Sequence, residues 1–385
     1  MRLKEFVPAF QQRETPFYFY DMELLDNTLK QLTEANQFGF NVHYAVKANI
    51  NDRILDKIKE YGLGVDCVSG NEVKIALANK FSPKEIVLAG VGKTDKEINL
   101  ALEHDIFSIN VESIPELLII DDLAGQMGKK ADISIRINPE IEAGTHHYIT
   151  TGTRENKFGI SAGDLLKHIE QIKSLKNVSF IGLHYHIGSQ ITDLNRYVHL
   201  IEKINDLQEE LKKHNIELPH LNVGGGLGVD YERPEQNSIP DFASYFRVFK
   251  ENLNINENQT VHFELGRSII AQCSSLISRV LFVKESEHIK FLILDAGMSD
   301  LMRPSLYQAY HHVDNISSDS DQEETYDVVG PICETSDSFQ RNFKLPLSKR
   351  GDLMAIRSVG AYGETMKNHY NARDFAPPVY SSDLK

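Results

Sequence analysis

HYAVKAN, residues 43–49, is the stretch from which the fold and the chemistry of this 385-residue chain can be argued. Tyr44 and Val46 alternate with small or polar neighbours in a β-prone run, which predicts a strand that ends at Lys47. A lysine at a strand end is half enclosed, and a desolvated ammonium loses its proton more easily. The neutral amine can form a Schiff base with a carbonyl. The heptapeptide alone favours a simpler interpretation, a surface lysine at a loop entrance.

Seven further strands follow, and most of them precede a helical pattern. They are predicted at residues 64–69, 85–90, 105–110, 131–138, 178–189, 220–226 and 260–267. Parallel strands need crossover helices and eight tilted strands close a sheet, so these units predict an α/β fold with a (β/α)8 TIM-like barrel. The competing doubly wound sheet would normally begin with a glycine-rich turn, and Ala48-Asn49 is not such a turn.

The pattern of predicted secondary structure changes at Ser268. Strand-like pieces at 276–285, 290–297, 326–334 and 352–362 are separated by turns, without convincing helices between them. We therefore expect a barrel over residues 22–267 and a C-terminal all-β domain over 268–385. The aromatic strand near residues 17–20 is expected to pair with the β domain, which would add residues 1–21 to it.

The charge and cysteine content of the chain restrict the kinds of partner and compartment that are expected. The net charge is −14, from 41 basic and 55 acidic residues, which disfavours nucleic acid and an anionic membrane surface. Three cysteines without a CxxC pair suit a reducing, cytoplasmic compartment and offer no metal framework. The N-terminus lacks the apolar core of a signal peptide, and no apolar run approaches the roughly 20 residues needed to span a bilayer.

Active sites of such barrels lie at the carboxyl ends of the strands. Those ends carry Lys47, Asp66, Arg136, His184 and His186 with Ser189, Gly224–Gly226, Glu264 and Arg267. Glu264 ends an apolar run and needs a partner to offset its desolvation. His184 and His186 are two apart on a predicted strand, which also suits a metal, but later strands offer no matching ligands and no metal is expected. For His184 a hydrogen-bonded structural role is retained.

The chain resembles the diaminopimelate decarboxylase family in seven motifs that occur in the family's order, between about Thr15 and Phe375. The motifs are HYAVKAN, LHYHIGSQ (183–190), NVGGGLG (222–228), FELGRS (263–268), LDAGMSDLMRPSLY (294–307), GPICETSD (330–337) and GAYG (360–363). The resemblance implies the alanine racemase-like fold and the cofactor pyridoxal 5'-phosphate. One departure is Leu265, where the family usually has proline.

The resemblance also implies roles for single residues. Lys47 would hold the cofactor covalently, His186 would stack on its ring, and Glu264 would hydrogen-bond the ring nitrogen and keep it protonated. Racemases of this fold have a similar arrangement but have an arginine beside the ring nitrogen. A glutamate at this position, Glu264, therefore favours decarboxylation. The cofactor-binding residues implied are Lys47, His186, Ser189, Gly226, Glu264, Gly266, Arg267 and Tyr362.

By the same resemblance, a diacidic, diamino substrate would be held by Arg267, Arg303, Tyr307, Glu334 and Tyr362. Two arginines suit a substrate that keeps one carboxylate while it loses the other, because a guanidinium binds a carboxylate bidentately. Cys333 resembles the family's proton donor, and its simpler interpretation is a small buried hydrophobe. Cys67 and Cys273 are assigned to that simpler interpretation. In the family the CETSD segment reaches the neighbouring subunit's site, which implies a homodimer with shared active sites.

The function implied is decarboxylation of meso-2,6-diaminopimelate, a small amino-acid substrate, to L-lysine and carbon dioxide in the last step of lysine biosynthesis. The nearest alternative is a related decarboxylase that acts on carboxynorspermidine, arginine or another basic amino acid. An inactive regulator on the same fold and a metal-dependent hydrolase are more distant alternatives. The polar run 142–157 is long enough to act as a lid over the site.

Overall fold

The computed structural model describes residues 3–141 and 157–384. The run proposed as a lid therefore lies, apart from Lys157, outside the described residues. The chain divides into two compact units. The first, called the barrel unit below, is Leu29–Gly228 with Asp241–Gly266, and the second, called the sheet unit, is Met1–Thr28 with Val229–Pro240 and Arg267–Lys385.

The chain begins with helix α1 (Val7–Gln11), strand β1 (Phe17–Tyr20) and helix α2 (Met22–Ala35). Eight parallel strands then pair in sequence order and close on themselves, as the sequence predicts. They are β2 (Asn41–Ala45), β3 (Gly64–Cys67), β4 (Ile86–Leu88), β5 (Ser108–Val111), β6 (Ala131–Ile137), β7 (Val178–Tyr185), β8 (His220–Asn222) and β9 (Thr260–Leu265). The predicted (β/α)8 barrel is confirmed.

The connecting helices follow the strands in turn. They are α3 (Asp52–Glu60), α4 (Gly70–Ala78), α5 (Asp95–His104), α6 (Ile114–Gln126), α7 (Ala162–Lys167), α8 (Ile169–Ser174), α9 (Asn195–Lys213) and α10 (Phe242–Asn252). Three helices start in the same way, with a Ser or Thr oxygen that accepts a hydrogen bond from the N–H of a glutamate three residues later, at Ser69 with Glu72, Thr94 with Glu97 and Ser113 with Glu116. Such caps fix where each helix begins after its strand.

The sheet unit is built around an eight-stranded sheet. Its later elements are α11 (Arg267–Ile270), β10 (Ser274–Glu285), β11 (Lys290–Leu294), α12 (Arg303–Tyr307), β12 (Val313–Asn315), β13 (Glu323–Val329), β14 (Ser338–Pro346), β15 (Leu353–Arg357) and β16 (Pro378–Tyr380). The strand order is β12-β15-β10-β11-β13-β14, and β1 joins it by pairing with β10 and β16. Phe17 lies opposite Ile277 and Tyr20 opposite Ser274, so the expected pairing of the N-terminal strand with this domain is confirmed.

The aromatic residues of β1 explain why the N-terminus joins this sheet. Phe17 and Phe19 pack on Phe10 of α1 with ring centroids 5.3 and 4.9 Å apart, and all three side chains are buried. Ile277 and Leu353 belong to the same apolar cluster. The burial of these large side chains stabilises the pairing between residues that are far apart in the chain.

No helix in the described part of the chain is both long and apolar enough to cross a bilayer.

Candidate active site

Lys47 lies just past β2, at the carboxyl end of the barrel. The strand predicted to end at Lys47 ends at Ala45, and Lys47 is part of a single 3-10 turn, Val46–Ala48. Its Nζ donates a hydrogen bond to Oδ2 of Asp66 in β3 over 2.9 Å. The Asp66 side chain is fully buried, whereas that of Lys47 is 34% exposed. A fixed, buried carboxylate therefore sets the position of an accessible amine.

The Asp66 carboxyl has unusual electrostatics. Burial, followed by the negative charge of Glu264, raises its pKa to about 6 although the Lys47 ammonium acts in the opposite direction. Within the described protein, Asp66 Oδ1 is buried and has no hydrogen-bond partner. Asp66 is therefore a weak base beside the amine, with one acceptor atom still available.

Glu264 of β9 is held by three side chains from the barrel interior. His184 Nε2 lies 3.1 Å from its Oε2, while Asn222 and Asn110 donate to Oε1 over 2.7 and 3.3 Å. Burial acts to raise the pKa of Glu264, but the charge and hydrogen bond of His184, together with Lys47, outweigh it and hold the pKa below its usual range. The buried carboxyl is therefore ionised, and His184 has the structural role that the sequence predicted for it.

The two histidines after Leu183 differ in their environments. Strand β7 ends at Tyr185, so the expectation that His184 and His186 share one strand face is wrong for His186, which lies beyond the strand. His186 Nδ1 accepts a hydrogen bond from the N–H of Gly225 over 3.4 Å. Burial, then the charges of Arg136 and Lys47, lowers the pKa of His186 well below its usual value. His186 thus presents a neutral, flat imidazole at the strand ends.

The glycine turn after β8 approaches neighbouring backbone closely. The predicted strand 220–226 ends at Asn222, and the glycines lie in the turn that follows. A Cβ on Gly225 would lie 1.7 Å from the backbone oxygen of Glu264. Gly226 has φ +103°, a backbone conformation that favours glycine, and its C=O accepts from the N–H of Ile191 over 2.8 Å. Bare backbone therefore lines this turn. The turn is hydrogen-bonded to the chain at Ile191, two residues after Ser189.

The sheet unit contains a second cluster, formed by two arginines and a tyrosine. Nη1 of Arg267 and Nη1 of Arg303 donate to the Tyr231 hydroxyl over 2.6 and 2.8 Å, and all three side chains are buried. The Arg267 guanidinium also lies over the ring of Tyr362, 5.0 Å from its centroid. Tyr362 has φ +59°, which is uncommon for a bulky residue and indicates a constrained position.

Three further residues of the predicted site, Tyr307, Cys333 and Glu334, also lie in the sheet unit. Tyr307 ends α12 and is partly buried. Cys333 is exposed, so the interpretation of Cys333 as a buried hydrophobe is wrong, whereas Cys67 and Cys273 are buried as predicted. Glu334 accepts a hydrogen bond from the Tyr370 hydroxyl over 2.5 Å.

Several residues at these clusters were not singled out from the sequence. They are Asn110 and Asn222, which hold Glu264, and Tyr231 and His311, which contact the arginines. The position of Asn110 and Asn222 at strand ends was a usable signal, since it is shared with the predicted site residues. Tyr231 lies in a loop and had no such signal.

A closed barrel with a lysine beside a buried carboxylate and a second, ionised carboxyl at its strand ends suits a pyridoxal-dependent enzyme. Residues 25–271 match the family described as "Pyridoxal-dependent decarboxylase, pyridoxal binding domain". The sequence is 52% identical over 379 residues to diaminopimelate decarboxylase of Bacteroides thetaiotaomicron, with 98% of each chain covered. It is 39% identical over 381 residues to the enzyme of that name from Aquifex aeolicus, covering 98% of this chain and 88% of the relative.

Solved structures give the same result. The crystal structure of diaminopimelate decarboxylase from Helicobacter pylori complexed with L-lysine superposes with a TM-score of 0.92 at 39% identity, covering 98% of this chain and 94% of that one. The chain belongs to the diaminopimelate decarboxylase family of pyridoxal-dependent decarboxylases.

The cofactor of this family, pyridoxal 5'-phosphate, fits the residues of the barrel unit. Lys47 would supply an amine for the aldehyde, and the ionised Glu264 would supply an acceptor for the protonated ring nitrogen. Asp66 Oδ1 is a buried acceptor without a hydrogen-bond partner in the described protein. The Gly226 turn, where a side chain has no room, would let a phosphate oxygen approach the backbone.

Proposed function

We propose that this protein converts meso-2,6-diaminopimelate to L-lysine and carbon dioxide, the last step of lysine biosynthesis. The names of its relatives support the substrate, as does the L-lysine bound to the Helicobacter pylori enzyme. The observation that carries the proposal is the pair of buried guanidiniums, Arg267 and Arg303, which converge on one oxygen atom. A diacid that loses one carboxylate has to be held by the other, and paired guanidiniums suit that task.

Lys47 is assigned as the residue that holds the cofactor covalently. Pyridoxal phosphate supplies, when bound, an electron-withdrawing ring that takes up the electron pair left as carbon dioxide departs. Asp66 is the base nearest to Lys47 Nζ, and its pKa of about 6 brings it closer to neutral pH than an ordinary aspartate. Asp66 would therefore accept a hydrogen bond from Nζ and keep the amine in position for the cofactor.

Glu264 and His186 are assigned to the ring of the cofactor. A carboxylate at Glu264 stabilises a proton on the ring nitrogen, and His184 with the two asparagines keeps that carboxylate ionised and in place. The neutral imidazole of His186 is suited to stacking, since it adds no positive charge beside a protonated ring. Ser189, Gly226, Gly266 and Tyr362 are assigned to the cofactor phosphate.

Arg267, Arg303, Tyr307, Glu334 and Tyr362 are assigned to the substrate. The arginines would bind the carboxylate that stays, and the Glu334 carboxylate would bind an amino group. Because the arginines are buried, their charges are little screened by water and act strongly on an anionic ligand. This assignment requires a substrate with a second acidic end, which ornithine and arginine lack.

We further propose a homodimer in which the partner subunit's Cys333 delivers a proton from Sγ to the α-carbon. Cys333 is exposed, which suits a residue that acts in a neighbouring site better than one that fills a core. Its backbone N–H donates to Asn371 Oδ1 over 3.1 Å, so the segment that carries the thiol is anchored. The three unpaired cysteines support a reducing, cytoplasmic environment.

The experiment that tests this function is a substrate panel. Protein loaded with pyridoxal phosphate is supplied separately with meso-diaminopimelate, carboxynorspermidine, L-ornithine and L-arginine, and carbon dioxide and amine products are measured. The expected result is carbon dioxide with stoichiometric L-lysine from meso-diaminopimelate and little release from the others. Preferred turnover of carboxynorspermidine would replace the proposed substrate with that of the nearest alternative.

A further inference from the structure

Tyr231 lies in the segment Val229–Pro240, which joins β8 to α10 and groups with the sheet unit. Its side chain is buried, and its hydroxyl oxygen accepts one hydrogen bond from each of two arginines. A phenol oxygen has two lone pairs, so Arg267 and Arg303 together use its acceptor capacity. The two guanidiniums are thereby tied to a single atom.

His311 also contacts this cluster of Tyr231 and the two arginines. Nη1 of Arg303 lies 3.3 Å from Nε2 of His311, and Nδ1 of His311 lies 2.8 Å from the backbone oxygen of Arg357. Because a carbonyl oxygen only accepts, Nδ1 of His311 carries the proton and Nε2 is the acceptor for Arg303. The His311 and Tyr231 rings pack nearly perpendicular to each other, with centroids 5.1 Å apart.

Two buried guanidiniums beside one another repel, and this repulsion is little screened. The Tyr231 oxygen offsets it. Burial acts to raise the pKa of this phenol, but the charges of Arg267 and Arg303 outweigh burial and lower it. The same contacts raise the pKa of Arg267 against the effect of its own burial. The phenol oxygen is therefore polarised by the two cations, and its partial negative charge lies between them.

We infer that Tyr231 is a positioning and specificity-determining residue, whose oxygen fixes the spacing of Arg267 and Arg303 so that they bind the non-reacting carboxylate of a diacid. The inference rests on the proposed function of the two arginines. A guanidinium has five N–H donors, so one bond to Tyr231 does not exhaust either of them. Tyr231 acts through the arginines and takes no part in the chemical step.

The expected signature is a change in KM without a change in kcat, because contacts to the non-reacting end are made equally in the ground state and the transition state. In cofactor-loaded Tyr231→Phe, loss of an oxygen that accepts from two charged donors should raise the KM for meso-diaminopimelate about 10- to 100-fold. The matched control is Tyr326→Phe. Tyr326 is also buried in the sheet unit, and its hydroxyl accepts a hydrogen bond from the backbone N–H of Ser348. An unchanged KM in Tyr231→Phe would overturn the inference.

Two measurements separate the inference from the proposed function. Binding of pimelate, the same carbon chain without amino groups, is measured by calorimetry and should weaken at least about tenfold in Tyr231→Phe but not in Tyr326→Phe. Equal pimelate affinity would overturn the positioning role even if the wild type makes lysine. Absence of lysine production with weakened pimelate binding would instead overturn the proposed substrate and leave the carboxylate site standing.

A spectroscopic measurement tests the polarised phenol itself. Ultraviolet titration of tyrosinate in the wild type minus that in Tyr231→Phe should show one tyrosine with a pKa below that of an ordinary tyrosine, as the two guanidiniums require. A merely structural hydroxyl would give a difference titration at or above the ordinary value, and that result would contradict the proposed electrostatic role. Thermal unfolding of both variants checks that each is folded.

Discussion

His184 Nε2 and Glu264 Oε2 lie 3.1 Å apart inside the barrel, and both side chains are almost completely buried. This contact, with the amides of Asn110 and Asn222, is what allows an ionised carboxylate to exist in a buried position. The proposed cofactor site needs that charge, because a protonated ring nitrogen would be stabilised by a carboxylate opposite it.

Replacing His184 should therefore alter the pH dependence of activity. In His184→Phe the largest influence that lowers the pKa of Glu264 is lost, and burial then raises that pKa. Since the proposed function requires ionised Glu264, the acidic limb of the kcat profile should move to higher pH, with kcat lowered about 10-fold or more at neutral pH. His199→Phe, at an exposed position on α9, is the control and should keep the wild-type profile. An unmoved acidic limb in His184→Phe would contradict the role given to this contact.

A methyl group on Gly225 should disrupt the glycine turn. The added Cβ would lie 1.7 Å from the backbone oxygen of Glu264, so the backbone has to shift. We expect Gly225→Ala to lower the free energy of unfolding by about 3 kcal/mol and to weaken cofactor binding. Gly92→Ala is the control, because a Cβ there meets nothing within 4 Å and its φ is ordinary. Urea unfolding and cofactor titration of both variants check this, and equal stability of the two would refute the steric argument.

The opposite end of the barrel contains a chain of three histidines. His43 Nε2 lies 3.0 Å from His262 Nδ1, and His262 Nε2 lies 3.2 Å from His220 Nδ1. Burial, followed by the neighbouring histidines, lowers the pKa of His262 to about 2. Between that value and the unfolded pKa of about 6.5, the unfolded chain binds more protons, so stability falls as pH falls below about 6.5.

His262→Phe should remove this acid sensitivity, since a phenyl ring can replace the stack on Phe107 without titrating. The dependence of the unfolding free energy on pH between 7 and 5 should become shallower by up to about 1.4 kcal/mol per pH unit. Urea unfolding at several pH values measures it, with exposed His199→Phe as the control. Identical slopes for His262→Phe and the wild type would mean that His262 does not stay neutral in the folded protein.

Hybrid dimers test the sharing of active sites. Cys333→Ala and Lys47→Ala should each be strongly impaired alone. If the partner subunit's Cys333 completes each site, a refolded equimolar mixture should recover about a quarter of wild-type activity, since half of the dimers then contain one intact site. Mixed Lys47→Ala with Glu264→Gln, both from the barrel unit, is the control and should recover nothing. No recovery in the first mixture would contradict the shared sites.

Much of the fold could be predicted because barrel strands and helices alternate with a clear change of periodicity. The strands that were missed, β12, β14 and β16, lack that signal. Two of them have only three residues, and β14 lies at a sheet edge and carries exposed polar residues such as Arg341.

The candidate active site also contains residues that could be predicted from the sequence and one that could not. Lys47 and His186 follow strands and Glu264 lies near the end of one, and all three stand in recognisable motifs, so their positions were predictable, although their roles stay predictions. Strand ends were misplaced by two to four residues at Lys47, Ser189 and Gly226, because the β-branched residues Val46, Ile187 and Val223 extend the β-prone pattern beyond each strand. Tyr231 could not be found from sequence, because its importance comes from two arginines that are 36 and 72 residues away.

The measurement that tests the central claim most directly compares Lys47→Ala with Lys59→Ala. Both lysines lie in the barrel unit, each pairs with an aspartate, and each side chain is 34% exposed. Purified with pyridoxal phosphate, Lys59→Ala should keep the visible absorbance of the bound cofactor and release L-lysine from meso-diaminopimelate at the wild-type rate. Lys47→Ala should lose both. Wild-type turnover in Lys47→Ala would contradict the account.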